Sequence, residues 1–127
     1  MKKIIIQPAH TDARGIITDL LQDETINAVT IISFKRGAVR ANHYHKKTFQ
    51  WNYIMSGRMK LVTCIPGKEI RETIMEKGDF AVTEPHEQHA LVGLEQSEVL
   101  VLTKGPRGGT EYESDTYRLV KPLVKPN

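Results

Sequence analysis

The residues of this sequence best suited to chemistry are four side chains that can bind a metal: His43, His45, Gln50 and His89. Residues two apart in a strand project from the same face, so His43 and His45 point together. Imidazole nitrogen suits Zn, Mn, Fe or Ni, and Gln50 adds a neutral carbonyl oxygen. We therefore expect one interior divalent-metal site, with His89 completing the set of four ligands.

A structural role for the histidine pair stays open beside this hypothesis. His-x-His is common in strands, and either ring can simply hydrogen-bond a backbone carbonyl. Glutamine in place of a carboxylate also leaves the site with one negative charge fewer, which weakens its hold on a hard dication. The pattern therefore indicates the arrangement of the ligands more strongly than it indicates a bound ion.

Short runs rich in Ile, Val, Thr, Tyr and Phe alternate with turn clusters, and helical periodicity is scarce. We therefore expect the site residues to be positioned by strands. Gly- and Pro-containing turns at Ser56-Gly57, Pro66–Lys68 and Glu76–Asp79 predict hairpins, and Gly105–Gly109 predicts a loop. The sequence thus predicts an all-β barrel. We predict strands at 2–7, 15–21, 26–35, 39–45, 48–55, 58–65, 69–76, 79–83, 88–94, 97–104 and 116–120.

Length and composition predict one domain over residues 1–127, with an extended or frayed tail at 121–127. The single cysteine, Cys64, and the lack of a signal-peptide pattern favour the cytoplasm, and no apolar run is long enough to cross a membrane. A net charge of +3 with few aromatic residues argues against nucleic acid. Basic residues near the histidines would nevertheless favour the binding of a small anion: Lys35, Arg36, Arg40, Lys46, Lys47, Arg58 and Lys60.

The spacing around the histidine pair matches a known motif. Gly37, five residues, His43-Tyr-His45, four residues, Gln50, six residues and Gly57 reproduce the first motif of the cupin superfamily, with glutamine where that motif usually has glutamate. The chain therefore resembles the cupins. This resemblance implies a double-stranded β-helix, also called a jelly-roll barrel, with a pocket at its centre.

The second cupin motif is matched more loosely. Gly78, Pro85 and His89 resemble its Gly, Pro and His, whereas its inner glycine and trailing asparagine are missing. The resemblance implies metal ligands at the four positions already named. His10 and His86 have no place in this pattern; we expect His10 at the surface and leave His86 between the surface and the pocket mouth.

Two further stretches are similar to a narrower group. Asp12–Thr18 resembles the Asp-x-Arg-Gly-x-Leu-Thr opening of sugar-nucleotide cupins, including the dTDP-4-keto-6-deoxyglucose 3,4-ketoisomerases. Arg40–Lys46 resembles their Arg-Gly-x-His-x-His segment, with Ala41 in place of the glycine. The same stretch is similar to the zinc-binding C-terminal cupin domains of capsular polysaccharide enzymes.

The ketoisomerase resemblance implies metal-free chemistry, in which His43 and His45 move protons and Arg40 contacts the substrate. An imidazole near its ordinary pKa of ~6.5 can take and give a proton at neutral pH. The planar fork of Arg40 suits a diphosphate or a developing enolate. Strict alternation from His43 puts Arg40 on the opposite face, however, so a bulge near this arginine would be needed.

We therefore predict a small cupin that binds a divalent metal and a small anionic molecule, and that acts as a sugar-nucleotide isomerase or epimerase of polysaccharide biosynthesis. A non-catalytic small-molecule binder and a metal-dependent dioxygenase remain as alternatives. The cupin resemblance also implies a homodimer.

Overall fold

The computed structural model describes residues 1–107 and 113–126, and these residues form strands and loops without a helix. No helix that could cross a bilayer therefore occurs in these two stretches. The twelve strands of the described chain are β1 (Lys2–Ile4), β2 (His10–Asp12), β3 (Gly15–Ile17), β4 (Ala28–Phe34), β5 (Val39–Tyr44), β6 (Phe49–Ser56), β7 (Arg58–Cys64), β8 (Arg71–Glu76), β9 (Phe80–Thr83), β10 (Gln88–Gly93), β11 (Ser97–Lys104) and β12 (Tyr117–Arg118).

Two five-stranded antiparallel sheets form the barrel, in the orders β1-β9-β6-β11-β4 and β12-β5-β10-β7-β8. Their pairings are nested: β7 pairs with β8, β6 with β9, β5 with β10 and β4 with β11. This nesting makes the fold a double-stranded β-helix, as the sequence predicted. A separate hairpin, β2–β3, stands outside both sheets.

Apolar side chains close one end of the barrel interior. A buried cluster there contains Phe34, Ile54, Met59, Leu61, Met75, Ala81, Val99 and Val101. A second cluster of Trp51, Phe80 and Val82 lies against the N-terminal segment, including Ile4 and Leu20. Strand β6 contributes to both clusters, because neighbouring residues of a strand face opposite sides of the sheet. Ile54 faces the first cluster and Trp51 the second. Gln50 and Asn52 are thereby left facing the interior.

The predicted strands match the observed ones except near the chain ends. The run 2–7 is a strand only at Lys2–Ile4, and 15–21 only at Gly15–Ile17. Strand β2 (His10–Asp12) was missed, because its exposed polar residues carry no apolar alternation. Of the predicted loop Gly105–Gly109, the last two residues lie outside the described stretches.

A bulge interrupts β5 at a position that no sequence pattern marks. His89 pairs with His43 and Ala90 with Ala41, so Asn42 is the extra residue. Ala41 and Asn42 both adopt left-handed backbone angles, with φ of 71° and 58°. The bulge changes the phase of the strand, which brings Arg40 to the same face as His43.

The C-terminal tail, which we expected to be extended or frayed, is anchored to β5 by hydrogen bonds. The backbone carbonyl of Asn42 accepts a hydrogen bond from the Leu119 amide at 2.9 Å. The side chain of Asn42 accepts from the amides of Leu123 and Val124 at 2.9 and 3.1 Å, and donates to the Val124 carbonyl at 2.9 Å. Asn42 therefore holds the tail beside β5, where Pro122 and Pro126 line the cavity.

Ala41 is the residue whose replacement by glycine should stabilise the barrel. Its left-handed φ of 71° costs an alanine about 1–2 kcal/mol, and glycine adopts it freely. We expect Ala41→Gly to raise the free energy of unfolding by about 1 kcal/mol, because the greater flexibility of the unfolded chain offsets part of the gain. Urea unfolding measures the change.

The matched control is Ala90→Gly, on the strand that pairs with Ala41. Ala90 has no positive φ, so glycine there should lower stability by about 0.5–1 kcal/mol or more. If both variants were destabilised alike, the strain at Ala41 would be absent.

Candidate functional site

All the residues predicted to form a site line one cavity of about 510 Å³ at the open end of the barrel: Arg40, His43, His45, Gln50 and His89. Strands β5, β6 and β10 supply four of them, and His45 directly follows the end of β5. The volume lies within the range typical of small-molecule sites, about 300–1,000 Å³. Asn52, two residues after Gln50, lies on the same wall.

The three histidines form a compact cluster. The ring centroids are 4.8 Å apart for His43 and His45, 4.7 Å for His43 and His89, and 5.3 Å for His45 and His89. One ring nitrogen from each residue lies within 4.8 Å of the others. A small shift of these side chains would let them share one ion or contact one substrate.

Backbone carbonyls select the tautomer of two of these rings. Nδ1 of His45 lies 2.8 Å from the carbonyl oxygen of Asp115, and Nδ1 of His89 lies 3.0 Å from that of Glu87. A carbonyl only accepts, so both Nδ1 atoms carry a hydrogen, and in the neutral form of each ring Nε2 holds the lone pair. Nε2 of His45 and Nδ1 of His43 are buried without a hydrogen-bond partner. Such orphaned nitrogens fit a metal or a reacting ligand.

Burial disfavours the protonated form of two of the three rings. It lowers the pKa of His43 to about 4, with smaller contributions from the nearby His45 and Arg118. Burial likewise lowers the pKa of His89 to about 3, and His43 adds to that shift. Both rings are therefore uncharged at neutral pH and offer a lone pair rather than a proton. This corrects the expectation of an ordinary imidazole pKa at His43.

Asp115 ties the C-terminal segment to the histidine strand. Its carboxylate accepts hydrogen bonds from the amides of Lys46 and Lys47, at 3.1 and 2.8 Å, and from the Thr48 hydroxyl at 2.7 Å. Burial raises the pKa of Asp115, but these hydrogen bonds outweigh it and leave the pKa lowered. The anchored residue thereby holds its own carbonyl against the ring of His45.

Arg40 lies on the cavity wall because Leu91, its partner on β10, faces the cavity as His89 does. Its guanidinium stands 5.3 Å from the centre of the Phe34 ring and donates to the Ser33 carbonyl at 3.2 Å. Of the seven basic residues that crowd the histidine segment, Arg40 is the one that lines the cavity.

Sequence reasoning missed two other arginines on this wall, Arg107 and Arg118. Arg118 faces the cavity because β12 pairs it with His43. A two-residue strand that depends on its partner has no recognisable periodicity, so no sequence signal marks this arginine.

The remaining histidines lie elsewhere. His10 is exposed on the β2–β3 hairpin and lies 3.0 Å from the Asp12 carboxylate, as expected of a surface residue. The backbone amide of His86 donates to the His45 carbonyl, but its side chain lines a separate surface groove beside the N-terminal strand. The structure thus does not bring His86 to the histidine cavity.

A double-stranded β-helix whose histidines converge at its open end belongs to a class of barrels that bind small molecules or metals inside. The chain belongs to the cupin family: the Cupin domain model matches residues 30–103, which include every residue predicted for the site. No curated protein matches the sequence.

Solved structures with the same fold include sugar-nucleotide enzymes. The chain is 22% identical to the QdtA 3,4-ketoisomerase of Thermoanaerobacterium thermosaccharolyticum, solved with TDP, with a TM-score of 0.74 over 92% of this chain and 86% of that one. It is 18% identical to the WlaRB TDP-quinovose 3,4-ketoisomerase of Campylobacter jejuni, with a TM-score of 0.76 over 93% and 92%.

A third structure is the capsular polysaccharide assembling protein CapF of Staphylococcus aureus. It is 18% identical, with a TM-score of 0.65 over 91% of this chain and 34% of that chain. The present chain therefore spans about a third of CapF. At these identities the likeness concerns the fold, and it agrees with the resemblance that the motifs suggested.

Without the Asp115 carboxylate, the His45 ring should no longer be held in a single tautomer. In Asp115→Ala the turn at residues 46–48 loses three hydrogen bonds, so we expect a loss of roughly 2 kcal/mol of stability or more. Nitrogen-15 NMR should show His45 as one Nδ1–H tautomer in the parent and as a mixture in the variant.

The control is Asp12→Ala, which removes a carboxylate on the outer hairpin and should leave the His45 spectrum unchanged. A parent spectrum that already shows a tautomer mixture would contradict the assigned role of Asp115.

Proposed function

We propose that this cupin is a sugar-nucleotide isomerase or epimerase that acts on a dTDP-linked keto sugar. The observation that carries the proposal is a pair of neighbouring imidazoles, His43 and His45, in a cavity whose wall carries Arg40 and two further arginines. Proton transfer needs the first feature and a diphosphate needs the second. The QdtA structure with bound TDP supports this ligand class.

A 3,4-ketoisomerisation moves a carbonyl between adjacent carbons. A base removes the proton on C3 and the electron pair passes to the C4 carbonyl oxygen, which gives an enediolate. The hydroxyl proton then passes from the C3 oxygen to the C4 oxygen, and the base returns a proton to C4, which leaves a ketone at C3 and a hydroxyl at C4. No oxidant or reductant is needed. Two imidazoles side by side can carry these protons.

The different surroundings of His43 and His45 suit the two rings to different proton transfers. The free Nε2 of His45 is fixed toward the cavity, since its Nδ1 donates to the Asp115 carbonyl. The low pKa of His43, about 4, means that a proton taken by its ring is quickly given back. His43 is therefore unprotonated at neutral pH and can return to the adjacent carbon only a proton that it has first taken from the substrate, whereas the oriented Nε2 of His45 suits proton removal.

Substitution of either histidine should abolish turnover and spare the binding of nucleotide. We expect His43→Asn and His45→Asn each to lower kcat by a factor of about 10² or more, because a positioned acid or base contributes about 10²–10⁴. The assay incubates dTDP-4-keto-6-deoxyglucose with the protein in D₂O and follows deuterium entry and the keto product by NMR.

Tyr44→Phe is the control, since Tyr44 stacks on Tyr117 at a centroid distance of 5.4 Å and does not line the cavity. A parent protein that bound the sugar nucleotide without exchange would instead be a non-catalytic binder.

The cluster also has the donor set of a divalent-metal site, and this is the second candidate function. The orphaned nitrogens of His43 and His45, the lone pair of His89 and the amide oxygen of Gln50 would hold the ion. Neutral rings favour it, because a metal ligand must be unprotonated. A bound ion would supply a Lewis acid that polarises a carbonyl.

Metal content distinguishes the two candidates. On the metal hypothesis, His89→Ala should lose the ion from the purified protein, and Gln50→Glu should bind it more tightly because a carboxylate restores one negative charge. Elemental analysis and titration with Zn²⁺ or Mn²⁺ measure both effects.

His86→Ala is the matched control, because that histidine lies outside the cavity. Metal retained at full occupancy by His89→Ala would exclude the site. Iron in the parent together with oxygen consumption would favour a dioxygenase.

The homodimer stays a prediction. Strand β4 is a sheet edge whose outward residues Val29 and Ile31 are 63% and 58% exposed. An apolar edge of this kind is suited to pairing with a second copy.

A further inference from the structure

Arg118 stands at a position from which it can reach a ligand next to the histidines. It lies on β12 directly opposite His43 on β5, and directly opposed residues of antiparallel strands share a face. Its side chain therefore faces the cavity, and it is 66% exposed at the cavity mouth. The amide of the next residue, Leu119, donates to the Asn42 carbonyl, which fixes the backbone at this point.

The charges around the mouth favour an anion. Among the described residues that line the cavity, the charged ones are Arg40, Arg107, Arg118 and Glu113, which gives three cations to one carboxylate. The guanidinium of Arg40 already rests on Phe34 and bonds the Ser33 carbonyl.

Glu113 forms an ion pair with Arg118 in the structure. The guanidinium donates to the Glu113 carboxylate at 2.5 Å, and both side chains are largely exposed, at 66% and 51%. Exposed ion pairs contribute only about 0–1 kcal/mol, so a stronger anion can replace the carboxylate at small cost. A phosphate oxygen pair binds the planar guanidinium through two parallel hydrogen bonds.

We propose that Arg118 is the principal phosphate-binding residue of the cavity, and that Glu113 is an internal competitor which the ligand's diphosphate displaces. This assignment rests on the proposed function, because it takes the diphosphate of a nucleotide sugar as the ligand. It makes Arg118, rather than Arg40, the larger determinant of affinity. It also gives the chain a means of discriminating against neutral sugars, which cannot displace the carboxylate.

A purely structural Arg118–Glu113 pair predicts something different. Such a pair would only close the turn that leads into β12, and removing either partner would weaken ligand binding or leave it unchanged. Competition predicts effects of opposite sign for the two residues. The sign of the Glu113 effect therefore separates the two explanations.

Calorimetric titration of the full chain with dTDP, and separately with inorganic pyrophosphate, tests the assignment. We expect Arg118→Ala to weaken dTDP binding at least tenfold and Arg118→Lys to weaken it less, since lysine keeps the charge and loses the fork. Arg40→Ala should have a smaller effect. Glu113→Gln should tighten binding severalfold, a gain that a misfolded variant would not produce.

Arg71→Ala is the control, because Arg71 lies on β8 away from the cavity. Unchanged affinity in Arg118→Ala, or weaker binding in Glu113→Gln, would overturn the assignment. A parent that bound pyrophosphate through Arg118 but not dTDP would refute the nucleotide-sugar function and leave the phosphate site standing. A parent that bound neither would refute both.

Discussion

Strand β5 and its bulge at Asn42 are the feature on which the rest of the site depends. A regular strand would send Arg40 away from His43, and the extra residue corrects the phase so that both face the cavity. The same residue, Asn42, holds the C-terminal tail through its backbone and side chain. The bulge therefore orients Arg40 and His43 toward the cavity, and its extra residue binds the C-terminal tail that completes the cavity wall. The left-handed φ of Ala41 is the local cost of this arrangement.

Burial of the histidines determines what chemistry they can perform. A ring taken out of water resists protonation, which lowers the pKa of His43 and His89, and both rings lie in contact with that of His45. Backbone carbonyls fix the hydrogens of His45 and His89 on the Nδ1 atoms. Free lone pairs in a small space serve a metal and a substrate proton equally well. This is why one geometry supports both an isomerase and a metal centre, and why measurement of metal content matters.

The C-terminal segment is part of the site, although it follows the last strand of the nested barrel pairs. Asp115 anchors it beside His45, β12 pairs with β5, and Asn42 holds the extended tail beyond. Between these anchors the segment presents Arg118 to the cavity mouth. On the proposed function, the barrel supplies the reacting groups, and the added segment supplies groups that select the ligand.

The sequence by itself determined the all-β fold and most of the strands and turns, and it predicted the set His43, His45, Gln50 and His89, all of which line the cavity. The fold and turns follow from local rules, namely alternation with a period of two and turn residues that adopt special angles, and the set follows from residue spacing within a motif. Tertiary structure decided that Arg40 and Arg118 face the cavity and that the C-terminal tail is anchored. It also decided the lowered pKa values of His43 and His89. Each of these depends on which strand lies beside another and on how much water remains, and residues distant in the chain set both.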